Sequence, residues 1–311
     1  MDNFRLNDNE NIIEIKNLVK SFGSVKAVND LSFCVKKGEL FAFLGENGAG
    51  KSTTISVMCG QLSKDSGTII IDNKNLDEKD NQIKRKIGVV YQNCVLDKAL
   101  SVKENLESRA ALYGIFGEEF KIRLKELSEL LDFSQLLNRT LGKLSGGQIR
   151  RIDIARALIH QPEILILDEP TTGLDPQTRK LLWSVITELR KTKNMSVFLT
   201  THYMEEAAEA DYIVIIDKGK IVAEGSPLQL KNKYTGDFII IYNTTEEDVK
   251  KLGMPYEKIK DFYKIAIENT AVATKLIVEN SEIFTDYEII KGKMDDVFLE
   301  VTGKKLTGGQ E

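Results

Sequence analysis

Alternating apolar and polar residues mark two strands near the start of the chain. Ile13 and Ile15 alternate with charged neighbours, and Leu31, Phe33 and Val35 alternate with smaller or charged residues. This period of two predicts strands that bury one face and expose the other.

Two continuous apolar runs predict strands that are buried on both faces. The first, Leu40–Leu44, leads into a glycine-rich loop, after which a helical pattern begins at Lys51. The second, Ile164–Leu167, ends in two acidic residues. Further short strands are predicted over residues 196–200 and 212–217.

Helical spacing occupies the stretches between these strands. Leu124, Leu127 and Leu130 recur three residues apart within the helical region Val102–Leu144, and a second helix is predicted over Pro176–Lys191. Strands that alternate with helices predict an α/β core with a largely parallel sheet.

The pattern changes at Lys231–Gly236, a polar segment that ends in glycine and predicts a linker. Beyond it we expect a small α/β domain, with strands over 238–242, 262–267 and 287–290 and helices over 246–252, 270–280 and 294–301. The expected domains are therefore residues 1–235 and residues 236–311, with a frayed terminus at 307–311.

Composition excludes several classes of protein. The 311 residues carry 43 basic and 47 acidic side chains, so the net charge of −4 gives no general attraction to nucleic acid. The three cysteines lack the spacing of a zinc site. No apolar run approaches the roughly 20 residues of a spanning helix, and Met1–Glu10 lacks the features of a signal peptide. We therefore expect a cytoplasmic protein.

A phosphate-binding loop is the first chemical motif. Gly45–Ser52 fits the pattern G-x-x-x-x-G-K-[ST], between a predicted strand and a predicted helix. Glycines let successive main-chain N–H groups turn towards a phosphate, and the helix adds its positive end. Lys51 can reach the β- and γ-phosphates, and the Ser52 hydroxyl can ligate Mg²⁺.

Two further motifs are ambiguous alone and gain weight beside that loop. Asp168 and Glu169 end a buried strand, where Asp168 can approach the same Mg²⁺ and Glu169 can activate a water molecule. Strand alternation places Glu169 on the opposite side of the pleat; the alternative is a solvated loop. Ser145-Gly146-Gly147 predicts either a simple helix cap or a second anion site.

Together these motifs resemble the nucleotide-binding subunits of ABC transporters, over about residues 11–235. The matching motifs, in chain order, are the Walker A loop Gly45–Ser52, the Q-loop residue Gln92, the signature Leu144–Gln148, the Walker B Asp168 with Glu169, the D-loop Gly173–Pro176 and the switch residue His202. The resemblance implies a P-loop NTPase cassette with a RecA-like core, an antiparallel β subdomain and a helical subdomain at about 97–145. It also implies ATP hydrolysis with ATP and Mg²⁺ as cofactors.

The resemblance implies a role for each matching residue. The expected catalytic residues are Glu169, His202 and Gln92. The expected nucleotide contacts are Phe22, Gly45, Asn47, Gly48, Ala49, Gly50, Lys51, Ser52, Thr53, Ser145, Gly147 and Asp175. The expected magnesium ligands are Ser52, Gln92 and Asp168. Phe22 stands where the family stacks an aromatic ring on adenine, and the alternative is an ordinary edge aromatic residue.

The subgroup and partners follow from the same resemblance. The run Glu169–Arg179 and the tail Met294–Gly303 resemble bacterial exporter subunits of the daunorubicin-resistance type, although Gln148-Ile149 departs from that group. The implied partners are a second cassette in a head-to-tail dimer and a transmembrane permease that docks near Asn93–Leu100. This would hold the protein at the inner face of the membrane without direct lipid contact. The alternatives are an importer ATPase and a soluble ABC protein of translation or DNA repair.

Overall fold

The computed structural model describes residues 10–78 and 81–303, so the expected fraying at 307–311 lies outside the described residues. Two compact units are present. One contains the residues up to His202 together with Ala210–Ile221, and the other contains Tyr203–Glu209 with the residues from Val222 onward. Within the described ranges, no helix combines the length and the apolar character that a bilayer span requires.

The elements follow one another along the chain as β1 (Asn11–Phe22), β2 (Val25–Lys36), β3 (Leu40–Leu44), α1 (Lys51–Met58), β4 (Ser66–Ile71), β5 (Lys74–Asn75), α2 (Asn81–Arg85), β6 (Ile87–Val90), α3 (Val102–Ala111), α4 (Gly117–Leu130), α5 (Gly146–Leu158), β7 (Ile164–Asp168), α6 (Pro176–Lys193), β8 (Ser196–Thr201), α7 (Met204–Ala208), β9 (Tyr212–Asp217), β10 (Lys220–Gly225), α8 (Pro227–Tyr234), β11 (Asp237–Tyr242), α9 (Glu246–Lys251), β12 (Tyr256–Ile259), β13 (Phe262–Ile267), α10 (Thr270–Glu279), β14 (Tyr287–Lys291) and α11 (Met294–Thr302). Single 3-10 turns lie at Leu76–Glu78, Ser134–Leu136 and Leu141–Lys143.

Two sheets build the first unit. An antiparallel sheet has the order β2-β1-β4-β5, and β1 shows the predicted alternation of buried and more exposed positions. In the second sheet, the strands of the first unit follow the order β9-β3-β8-β7-β6 and are parallel. Strands β3 and β7 are buried at every position, as their apolar runs predict.

An aromatic cluster joins these two sheets. Phe33 of β2 packs on Phe41 and Phe43 of β3, with ring centroids 5.3 and 5.2 Å apart, and Phe198 of β8 lies 5.2 Å from Phe41. All four rings are buried. Aromatic pairs in such geometry contribute about 0.5–1.5 kcal/mol each beyond their buried area. The cluster therefore fixes the end of β3, from which the phosphate loop begins.

The helical region agrees with the spacing of its leucines. Helix α3 begins with a capping box between Ser101 and Glu104, and α4 buries Phe120 and Leu124 on one face. These helices supply the helical subdomain that the resemblance implies. Together with the parallel and antiparallel sheets, they confirm the expected fold class for the first unit.

The second unit contains a β-α-β-β-α-β arrangement from β11 to β14. Its antiparallel sheet has the order β12-β13-β11-β14, which is the ferredoxin-like split βαβ topology. Helix α10 packs on β11 and β13, and the core of this unit includes Ile239, Ile241, Ile265 and Ala273. The strands and helices predicted beyond residue 236 are present in this arrangement. The expected linker at Lys231–Gly236 is wrong, because α8 continues through Tyr234 from a capping box at Ser226.

Candidate functional site

The loop between β3 and α1 is shaped by its glycines. A Cβ at Gly45 would lie 2.6 Å from the carbonyl oxygen of Ile216, and one at Gly50 would collide with the carbonyl oxygen of Ala27. Gly50 also has a φ of +110°, which only glycine adopts readily. Gly48 has a φ of +84°. Larger residues would force this loop open, so the sequence produces a tight cradle at the N-terminus of α1.

Lys51 is folded over this cradle. Its buried ammonium group donates hydrogen bonds to the carbonyl oxygens of Gly45 and Glu46, at 2.6 and 3.1 Å, and lies 3.3 Å from Oε1 of Glu169. A buried cation requires an anionic or strongly polar partner. Phosphate oxygens can replace these partners, which is the chemistry expected of a Walker A lysine.

The acidic pair lies beside the start of α1. Asp168 Oδ1 accepts a hydrogen bond of 2.6 Å from the Thr200 hydroxyl and lies 3.5 Å from Ser52 Oγ. Glu169 follows the end of β7 with a φ of +46°, and its main-chain N–H donates to the hydroxyl of Thr200 at 3.1 Å. The alternation argument for Glu169 is therefore wrong, because the chain has already left the strand conformation there.

Three expected site residues converge on the Glu169 carboxylate. Lys51 contacts Oε1, while Gln92 Nε2 donates to Oε2 at 3.2 Å and His202 Nδ1 lies 3.4 Å from Oε2. The carboxylate is buried. A buried carboxylate next to a cationic lysine, an amide and an imidazole can accept a proton from a bound water molecule.

The residues expected to bind magnesium have suitable donor atoms. Ser52 and Asp168 bring a hydroxyl and a carboxylate together, and Mg²⁺ prefers such oxygen ligands. No group of three or more His, Cys, Asp or Glu side chains that could hold a metal occurs in the described part of the chain. Gln92, also expected here, has its amide nitrogen on Glu169.

The signature residues form a second group. Ser145 caps α5, with its exposed hydroxyl accepting from Gln148 N at 3.3 Å. Gly147 packs so closely that a Cβ would lie 2.7 Å from Thr178 Oγ1 and 3.2 Å from a carboxylate oxygen of Asp175. Asp175 caps α6, and hydrogen bonds from Thr178 hold the pKa of its carboxyl below the ordinary value.

The other expected nucleotide contacts lie around the loop. Phe22 is half exposed at the end of β1, with the Lys20 ammonium group 5.6 Å from its ring centroid. Asn47 is exposed, Ala49 is buried, and Thr53 lies in the first turn of α1. These positions leave Phe22 and Asn47 accessible to a ligand.

The sequence motifs assign no role to Thr200 or Arg150. Thr200 is a buried hydroxyl in an apolar strand, and such a position signals a polar partner. Arg150 lies in a largely buried helix, where an arginine likewise needs acceptors. Both contact the segment that carries Asp168 and Glu169.

Known proteins resemble this chain in sequence. The family model described as ABC transporter matches residues 28–172. The linearmycin resistance ATP-binding protein LnrL of Bacillus subtilis is 40% identical over 276 residues, covering 88% of this chain and 85% of that protein. The Nod factor export ATP-binding protein I of Burkholderia orbicola is 39% identical over 313 residues, covering 94% and 98%.

A solved structure gives the same result for the fold. The dimeric post-hydrolysis ATP-binding cassette MJ0796 bound to ADP and Pi is 28% identical, with a TM-score of 0.64 over 69% of this chain and 98% of that one. The resemblance to bacterial drug-resistance exporter subunits is confirmed by the relatives. The chain therefore belongs to the ABC transporter family, as an ATP-binding subunit that hydrolyses ATP.

Proposed function

We propose that this chain drives an exporter by hydrolysing Mg-ATP while docked on a separate transmembrane permease. The observation that carries the proposal is the convergence of Lys51, Gln92 and His202 on the buried carboxylate of Glu169. The single phosphate loop next to this carboxylate supports a hydrolytic site.

Each residue then has a distinct part in hydrolysis. Lys51 exchanges its contacts with loop carbonyls and Glu169 for phosphate oxygens, which leaves Glu169 free to accept a proton from the attacking water. Gln92 and His202 orient that water and the terminal phosphate. Ser52 and Asp168 would hold Mg²⁺, which supplies positive charge against the phosphates when bound. Phe22 would stack on the adenine ring.

We propose that two copies close head to tail around two ATP molecules. One chain carries one phosphate loop and one signature, and its Ser145 is exposed at the N-terminus of α5. Helix N-termini attract anions, so Ser145 and Gly147 of one copy would contact the γ-phosphate bound by the other. Asp175 would lie at the same interface.

The permease would dock on the segment that follows Gln92 and on the helices after it. Val95, Leu112 and Phe116 are 56%, 72% and 63% exposed in and after the segment that follows Gln92. Asn105 secures the segment by donating to the carbonyl oxygen of Asp97 at 2.9 Å. Such docking would keep the protein at the inner face of the membrane without lipid contact.

Export is favoured over import by the relatives named for linearmycin resistance and Nod factor export. We extend their direction of transport to this chain and expect a drug or another amphipathic substrate, selected by the permease. We also propose a domain boundary at about residue 235, between the cassette and an accessory domain. That domain would stabilise the subunit or its dimer.

Glu169→Gln tests the hydrolytic site. We expect Mg-ATP turnover to fall by about 10²-fold or more, because the general base is lost, while ATP binding persists. Size-exclusion chromatography with ATP should then show a stable dimer. Glu126→Gln is the matched control, since Glu126 is exposed on α4. Wild-type turnover in the Glu169 variant, or a persistent monomer, would contradict the site or the dimer respectively.

Leu112→Ser tests the docking surface. We expect the tagged wild-type chain to recover a multi-spanning permease from membranes, and the variant to recover less of it with unchanged basal turnover. Leu228→Ser is the control, because Leu228 is an exposed leucine of α8 in the second unit. Recovery of ribosomes in place of a permease would refute the transport function.

A further inference from the structure

Arg150 is a buried arginine in the helix that begins at the signature motif. It lies in the second turn of α5 with only 9% of its surface exposed. Arginine is rarely buried unless its donors are satisfied, because a charge loses much hydration energy on leaving water. Its partners therefore indicate what this side chain holds in place.

The guanidinium group donates to main-chain carbonyl oxygens from two separate segments. One acceptor is Tyr91, at 2.5 Å, which directly precedes the Q-loop residue Gln92. The other acceptors are Asp168, Glu169 and Pro170, at 3.4, 3.3 and 2.8 Å. One planar group thus joins the main chain before Gln92 to the main chain on both sides of Glu169.

The surroundings of Arg150 keep its planar group in this orientation. Asp153, whose side chain is fully buried, lies 3.8 Å from Arg150 and accepts a hydrogen bond of 2.6 Å from Arg156. Arg156 in turn donates to the carbonyl oxygen of Val89 at 2.6 Å. Lysine carries its three donors on one nitrogen atom and has no planar fork, so it would not reproduce these hydrogen bonds to both segments.

We propose that Arg150 is a positioning residue for ATP hydrolysis, which sets the places of Glu169 and Gln92 through their main chain. Glu169 has a φ of +46°, and a non-glycine residue keeps such a conformation only when its surroundings impose it. Arg150 supplies part of that support. It also connects the hydrolytic carboxylate to α5, whose first turn carries Ser145 and Gly147. This inference rests on the proposed catalytic role of Glu169.

Arg150→Lys in the full chain tests the inference, with Arg151→Lys as the matched control. Arg151 is the next residue of α5, but it donates to Asp132 O and Oδ2, at 2.6 and 2.9 Å, away from Glu169. We expect kcat to fall by about 10²-fold in Arg150→Lys, the effect of a small misplacement, with unchanged KM and unchanged affinity for a non-hydrolysable ATP analogue. Arg151→Lys should keep the wild-type kcat.

A double variant separates positioning from folding. Because Arg150 acts mainly by placing Glu169, adding Arg150→Lys to Glu169→Gln should lower the residual rate by much less than the loss that Arg150→Lys causes alone. The inference would be overturned if the two single losses in kcat multiply in the double variant. It would also be overturned if Arg150→Lys and Arg151→Lys lose kcat equally, or if folded Arg150→Lys keeps the wild-type kcat. If Arg150→Lys does not fold, Arg150→Gln takes its place with the same expectations. Full activity in Glu169→Gln alone would instead refute the proposed function.

Discussion

His160 makes the stability of the first unit depend on pH. It follows α5 and stacks on Tyr113, with ring centroids 3.9 Å apart and an interplanar angle of 3°. Its Nε2 lies 3.1 Å from the carbonyl oxygen of Ile87, which fixes Nε2 as the protonated nitrogen of the neutral ring. Within the described residues, the buried Nδ1 has no hydrogen-bond partner, so a second proton on Nδ1 would have no acceptor.

Burial lowers the pKa of His160 from its ordinary value of 6.5 to about 4, and the nearby Arg109 acts in the same direction. Between pH 6.5 and pH 4, His160 is protonated in the unfolded chain and stays neutral in the folded chain. Stability is therefore complete above pH 6.5 and is lost as pH falls towards 4. Integration from pH 7 to pH 5 gives a loss of about 2 kcal/mol from this side chain.

Urea unfolding at pH 7 and at pH 5 measures this loss. The single tryptophan, Trp183, lies in α6 of the first unit, so its fluorescence reports the unit that contains His160. We compare wild type with His160→Gln, whose amide can still donate to the Ile87 carbonyl. The carboxylates titrate in both proteins and cancel in the difference. The wild type should lose about 2 kcal/mol more than the variant. Equal losses would refute the reasoning.

Three further outcomes test other contacts. Thr200→Val removes the hydroxyl that donates to Asp168 and should lower the free energy of unfolding by about 1.5–3 kcal/mol in a urea titration; an unchanged midpoint would count against that contact. Gly50→Ala places a Cβ where φ is +110° and should abolish binding of a fluorescent ATP analogue, whereas retained affinity would show that the cradle tolerates a side chain. Iodoacetamide should modify exposed Cys94 before Cys59 in peptide mass analysis, because burial raises the pKa of both thiols and that of partly buried Cys59 to about 12; earlier alkylation of Cys59 would contradict this order.

Apolar patterning and the glycine loop were sufficient to predict the parallel core and the place of Lys51. These features are local, since a buried run forms a strand between two others and a glycine loop must turn. The position of Glu169 could not be predicted this way. Its left-handed conformation depends on contacts with Thr200 and Arg150, which come from distant parts of the sequence.

The missed helix at Lys231–Tyr234 has a different cause. Its polar composition resembles a linker, and the capping box that starts the helix lies upstream, between Ser226 and Gln229. The order of strands in the second unit was also beyond local pattern. The alternation of apolar and polar residues predicts each strand separately. The ferredoxin-like order depends on which strand edges pair in the folded unit.

Two independent sets of contacts hold Glu169, and they differ in what they can exchange. Its side chain binds Lys51, Gln92 and His202, groups that phosphate or water can replace. Its main chain is bound by Thr200 and by the guanidinium group of Arg150, and both of these contacts are buried. The carboxylate can therefore change partners during a reaction cycle while its backbone stays fixed. Under this arrangement, losing a main-chain contact should affect turnover more than nucleotide affinity.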